Sequence, residues 1–115
     1  MSESIFKPEA CEVISFATLA TIRADGITRR TLLAADGGKV VLFALDAGVE
    51  LAEHTNPNHA FIQVLTGSLN LVLDGRPRVL AMGELLHMPP LLPHALRANT
   101  PSSFLLTLLT PVTIS

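Results

Sequence analysis

The sequence predicts an all-β domain, a sandwich or barrel of short strands. Three observations carry this. Turn signals recur from Asp25 onward, at Asp25-Gly26, Asp36-Gly37-Gly38, Asp46-Ala47-Gly48, Thr66-Gly67-Ser68, Asp74-Gly75 and Met82-Gly83. Short apolar and β-branched segments fill the intervals between them, as in sandwiches and barrels. Within Ser68–Leu73 the alternation is clean: Leu69, Leu71 and Leu73 share one strand face, with Ser68 and Asn70 opposite.

The elements follow in order. The first 24 residues read as an arm packed on the barrel. Pro8, followed by Glu9, Ala10 and Glu12, can start a helical turn. Residues 16–22 can hold another, with Thr18 as cap; neither is long enough to stand alone. Cys11 is expected in this arm as a small buried apolar residue. Strands are expected over 27–34, 39–45, 60–66, 68–73, 76–80, 84–88, 94–98 and 103–109. Asp74-Gly75 supplies the positive φ angles of a tight hairpin. Residues 39–45 are apolar on both faces, which places that strand between two layers or at a subunit contact. Residues 104–109 are almost continuously apolar. The two strands together predict a homodimer, because exposed apolar patches of a few hundred Å2 mark contacts. Arg29-Arg30, and Arg76 with Arg78, read as solvated strand faces.

Composition bounds the function classes. At 115 residues, 49% hydrophobic and 16% charged, the chain is one ordered domain, 1–115, with no linker or repeat. The net charge is −2 and there is no Trp or Tyr. Nucleic-acid binding is not expected: no basic excess neutralises phosphates, and few rings stack on bases. A single cysteine excludes an internal disulfide and a cysteine-based metal cluster. The polar N-terminus has no signal-peptide pattern, so the cytoplasm is the expected compartment. The longest charge-free stretch, 98–115, is broken by Pro101 and Pro111. A membrane helix needs about 20 predominantly apolar residues, so no membrane association is expected.

The chemistry-bearing residues are the four histidines, His54, His59, His87 and His94. Imidazole is the commonest metal-binding side chain and an acid or base near neutral pH. Gly48, His54, Asn56 and Gly67 follow the spacing G-x5-H-x-H-x(3,4)-E-x6-G. Gly83, Pro89, Leu91 and His94, with Asn99 nearby, follow G-x5-P-x-G-x2-H-x3-N. With both motifs and the hairpin between them, the chain resembles the cupin superfamily over a core of about residues 39–109. Leu42-Phe43-Ala44-Leu45, Glu53-His54-Thr55 and Pro93-His94-Ala95-Leu96 are similar to a branch of small single-domain bacterial cupins.

The resemblance implies a double-stranded β-helix, the cupin jelly-roll barrel, with a short N-terminal arm. It also implies a metal held by three histidines and a glutamate, at positions occupied here by His54, Asn56, Ala60 and His94. Two strong donors remain. Asn56 offers a carbonyl oxygen, and Ala60 offers nothing. His59 is a reserve ligand if the Asn56-Pro57-Asn58 turn resets the strand phase; otherwise it points to the face opposite Ala60. Of His87 and Met88, one faces inward.

The function read from this is a small-molecule-binding domain, its pocket built around His54, Asn56, Ala60 and His94. The alternative is a metal-dependent enzyme of dioxygenase, isomerase or lyase type. It would use an incomplete site of His54 and His94, holding a divalent metal weakly. Fold resemblance does not choose between them.

Overall fold

A computed structural model describes residues 4–112. Its strands are β1 (Ile27–Ala35), β2 (Gly38–Leu45), β3 (Glu50–His54), β4 (His59–Thr66), β5 (Ser68–Leu73), β6 (Arg76–Ala81), β7 (Leu85–Met88), β8 (His94–Ala98) and β9 (Ser102–Leu109). They form two antiparallel sheets, ordered β1-β2-β9-β4-β7 and β3-β8-β5-β6. This is the expected all-β architecture with one added strand. β3 carries a single large aliphatic residue, Leu51, among polar and small neighbours, so it has no apolar alternation to announce it.

The inner faces of the two sheets meet in one core. Val41, Phe43, Leu45, Ile62, Val64 and Phe104 come from the first sheet. Leu69, Leu71, Leu80, Leu96 and Ala98 face them from the second. Fully burying each large side chain is worth about 1.5–3 kcal/mol, so this cluster is the main source of stability. At its centre Phe43 pairs with Phe104 across β2 and β9, and their rings stack at 4.9 Å with a 5° tilt.

The outer face of β2 is buried too: Leu42 is 2% and Ala44 1% exposed. The N-terminal arm lies beside this face. Ile5 N–H donates to the Thr31 carbonyl at 3.0 Å and Phe6 N–H to the Leu32 carbonyl at 2.7 Å, adding the arm to the edge of β1. Phe16, Ala17 and Ala20 share a cleft with Leu65, Thr66 and Ser103 on that side of the sheet. The apolar outer layer of β2, from which a partner subunit was inferred, is therefore buried within one chain.

Two expectations for the arm change. Its helix, α1 (Phe16–Leu19), is one turn with Ser15 rather than Thr18 at the cap position, and no side chain caps it. Pro8 and Glu9 form a turn closed by Ala10 N–H to the Lys7 carbonyl at 3.0 Å. Cys11 is exposed, not buried. The arm is too thin to enclose a side chain on both sides.

One residue, Gly67, carries the chain from β4 in the first sheet to β5 in the second. Its φ is +79°, and a Cβ there would lie 2.6 Å from the Pro101 carbonyl oxygen and against Ser102 Oγ. Ser102 is fully buried and stitches the corner: its Oγ accepts Ser68 N–H at 3.2 Å and donates to the Thr100 carbonyl at 2.7 Å. Gly75, in the β5–β6 hairpin, has φ +80° but open space around it. Gly67→Ala is therefore expected to destabilise by about 3 kcal/mol, strain plus clash, and Gly75→Ala by about 1 kcal/mol, strain alone. Urea unfolding of the two variants measures the difference; equal losses would show that the corner tolerates a side chain.

The Asp46 carboxylate fastens the turn before β1 to the end of β2. It accepts Asp25 N–H at 2.8 Å and Ala47 N–H at 2.8 Å. These two bonds, Asp25's first, hold its carboxyl below the ordinary value of 3.8. A lowered folded-state value contributes stability above the ordinary value, and that contribution fades as pH falls through the folded one. The stability advantage of wild type over Asp46→Asn should thus be present at neutral pH and shrink below pH 3.8. Urea midpoints across an acid series read it.

Candidate functional site

The site begins with an irregularity in β3. Leu51 pairs with Leu96 and His54 with His94, so three steps on β3 match two on β8. One extra residue in a strand shifts every later side chain to the other face. Leu96 and His94 both face the interior, being 5% and 7% exposed. The bulge therefore lets Leu51 and His54 face the same side, which regular alternation forbids.

The two imidazoles meet there, centroids 4.2 Å apart and planes tilted by 59°. His54 Nδ1 lies 2.9 Å from the Ala52 carbonyl oxygen and His94 Nδ1 2.8 Å from that of Leu92. A carbonyl oxygen only accepts, so each Nδ1 donates its proton. In a neutral ring each Nε2 then keeps its lone pair. His54 is exposed on its solvent side, whereas His94 is buried.

The loops around them are tied together. Leu91 N–H donates to the Asn56 carbonyl at 2.8 Å, with Leu91 at φ +69°. A leucine in this left-handed conformation costs about 1–2 kcal/mol, which accounts for the glycine usual at this motif position. Asn56 Oδ1 accepts Asn58 N–H at 2.8 Å. That oxygen closes its own turn, so one of its two lone pairs is already used.

Ala60 is buried in the core between Leu108 and Met88 and carries no donor. His59 does not join His54 and His94. β4 is regular from His59 to Val64, so His59 lies on the face opposite Ala60. Its Nδ1 meets His87 Nε2 at 3.0 Å, with Phe61 beside the pair. Met88 takes the inward position and His87 the outer one. Among the described residues no three His, Cys, Asp or Glu side chains converge as a metal site. Two imidazoles fall short of the three protein ligands that even an open zinc site uses, so the donor set does not fit a resident metal.

Beside His54 lies a cavity of about 660 Å3, where β1 on the edge of the first sheet faces β3 on the edge of the second. Val41, Phe43, Leu106 and Leu108 form its floor. Leu51, Ala52 and His54 form the β3 wall, with Asn56 at the end. The β1–β2 wall carries Arg29, Arg30, Thr31 and Lys39. His94 and Ala60 are not part of this lining; His94 reaches it only through its contact with His54. Arg29 and Arg30 are both exposed, as expected of a solvated strand face, and Arg29 also borders the cavity. Adjacent residues on a strand point to opposite faces, so only Arg29, opposite Phe43, has its side chain on the cavity face, and Arg30, opposite Leu42, is on the outer one.

Residues 41–109 match the Cupin domain family. The chain belongs to the cupin domain family. No curated protein matches it in sequence. Among solved structures, this cupin is similar to a conserved protein of unknown function from Streptococcus pyogenes. The TM-score is 0.83 at 28% identity, covering 96% of this chain and 97% of that one. It is also similar to KdgF from Halomonas sp., with a TM-score of 0.67 at 26% identity over 76% and 81% of the two chains. A salicylate 1,2-dioxygenase from Pseudaminobacter salicylatoxidans shares the fold, with a TM-score of 0.68 at 20% identity over 72% of this cupin and 26% of that chain.

The two site histidines should differ in structural weight. His94→Ala empties a buried volume and frees the Leu92 carbonyl, and should destabilise by about 2 kcal/mol. His54→Ala, at an exposed position, should change stability by less than about 1 kcal/mol. Thermal unfolding separates them; equal effects would contradict the difference in burial.

Proposed function

We propose that this cupin binds a small molecule in the cavity between β1–β2 and β3, with His54 on its wall. The observation that carries the reading is the cavity itself. Its volume of about 660 Å3 falls within the range of small-molecule sites, about 300–1,000 Å3. It combines an apolar floor with a few convergent polar groups, the composition that orients a ligand. Residues from both sheets frame it, so the site is held by the rigid part of the fold. His54 supplies an Nε2 acceptor and Asn56 amide donors, placed to read the ligand's polar atoms.

The alternative, a metal-dependent enzyme, draws support from the two free Nε2 lone pairs. It lacks further ligands: Asn56 Oδ1 is engaged and Ala60 has no donor. Binding is therefore the reading the geometry favours.

Ala52 allows a direct test, because it lines the cavity from an exposed strand position and a larger side chain there occludes the opening without entering the core. Small metabolites screened by NMR shift mapping should perturb Thr31, Phe43 and His54 in wild type. Ala52→Phe should weaken the same ligands about tenfold or more while the fold persists. Ligands that bind the variant unchanged, or map only to the His59–His87 face, would overturn the proposal.

A further inference from the structure

The cavity has a one-sided charge. Two of the eight Lys and Arg residues of the chain, Arg29 and Lys39, line it from the face that Phe43 and Val41 share. No described Asp or Glu does, although acidic residues outnumber basic ones by ten to eight in the chain. The one ion pair among the described residues, Arg97 with Glu50 at 3.8 Å, lies elsewhere. Of the remaining polar side chains on the wall, the Thr31 hydroxyl and the Asn56 amide can donate, and His54 offers Nε2.

Arg29 is positioned, not merely present. Its guanidinium carbon sits 5.4 Å from the centroid of the Phe43 ring, whose other partner is the buried ring of Phe104. A cation over an aromatic face is attracted to it, and the rigid stack beneath fixes its height. The guanidinium fork keeps its hydrogen-bond donors for carboxylate or phosphate oxygens, which it matches in geometry. Lys39 stands at the start of the neighbouring strand, and Thr31 lies between the two along the wall. Like charges around a concave wall of low dielectric focus a positive potential into it.

We infer that the ligand of this cavity is a small anion, an apolar body with a carboxylate or phosphate group seated on Arg29 and Lys39. This rests on the small-molecule reading above and gives it a substrate class. The apolar floor of Val41, Phe43 and Leu106 takes the body, and the β1–β2 wall takes the charge. A polyanion such as nucleic acid does not fit a site of this volume on a chain of net charge −2.

The test uses benzoate, phenyl phosphate and the uncharged benzamide, titrated into the full chain at constant ionic strength and followed by NMR shift mapping. Benzoate or phenyl phosphate should perturb Arg29, Thr31, Lys39 and Phe43, at least about tenfold more tightly than benzamide. Which of the two binds better distinguishes a carboxylate from a phosphate head. Arg29→Gln and Lys39→Gln should each remove about tenfold of the preference for the anion over benzamide. Lys39 is an exposed residue, so its variant keeps the test intact should loss of the Arg29–Phe43 contact unfold the chain. Benzamide binding in the cavity as tightly as benzoate would overturn the anion inference and leave the small-molecule reading standing. Failure of all three probes to perturb the cavity would overturn the anion inference for these heads, with Ala52→Phe deciding the broader reading separately.

Discussion

The stacked rings of Phe43 and Phe104 are the point from which the rest of the molecule is set out. They lie opposite each other on β2 and β9, the second and third strands of the larger sheet. Their burial fixes which face of both strands is inner. Through strand pairing that choice reaches β1 and β4, since Arg29 is opposite Phe43 and Val64 opposite Phe104. The same interaction closes the core below and supports a cation above, so the core and the cavity wall share one pair of side chains. An arginine held over a buried ring is oriented by the ring's quadrupole rather than by a countercharge, which leaves its donors free.

Much of the fold was legible because alternation and turn chemistry agreed. Ser68–Leu73, the Asp74-Gly75 turn and the return strand appear where the pattern places them. β3 was not legible, because an edge strand of five residues with a bulge carries no period of two. That same bulge decides the site. Sequence spacing puts His54 and His94 forty residues apart, and only an extra residue in β3 turns both toward one side. The departures at Asn56 and Ala60 were visible as missing donors. The use of Asn56 Oδ1 in its own turn was not, since an Asx turn depends on local backbone angles. Arg29 is solvated as expected, but its place over Phe43 was not legible, since it depends on the register of β1 against β2.

The arm covers part of the second apolar face of β2. β2 is apolar on both faces, which in isolation demands two covering layers. One is the opposite sheet. The other is formed with residues 4–20, which hydrogen-bond along the edge of β1 and approach Leu65 and Ser103. The edge of β1 is thereby partly capped, which limits unwanted strand pairing there. Ile5 also reaches the cavity, so the arm belongs to the site as well as to the scaffold.

The order of strands in the larger sheet bears on how the molecule assembles. β2 pairs with β9 from Leu45↔Ser102 to Gly38↔Leu109, partners more than fifty residues apart in the chain. The hairpins β1–β2 and β5–β6 can close quickly, but the sheet's central ladder must await the closure of a long loop. Until it closes, Phe43 has no ring to stack on and both edges of the split sheet stay open. Chain collapse should therefore be rapid, with native order arriving late and in a single step. A nascent or heat-loosened molecule would be exposed to aggregation through β2, its most apolar strand.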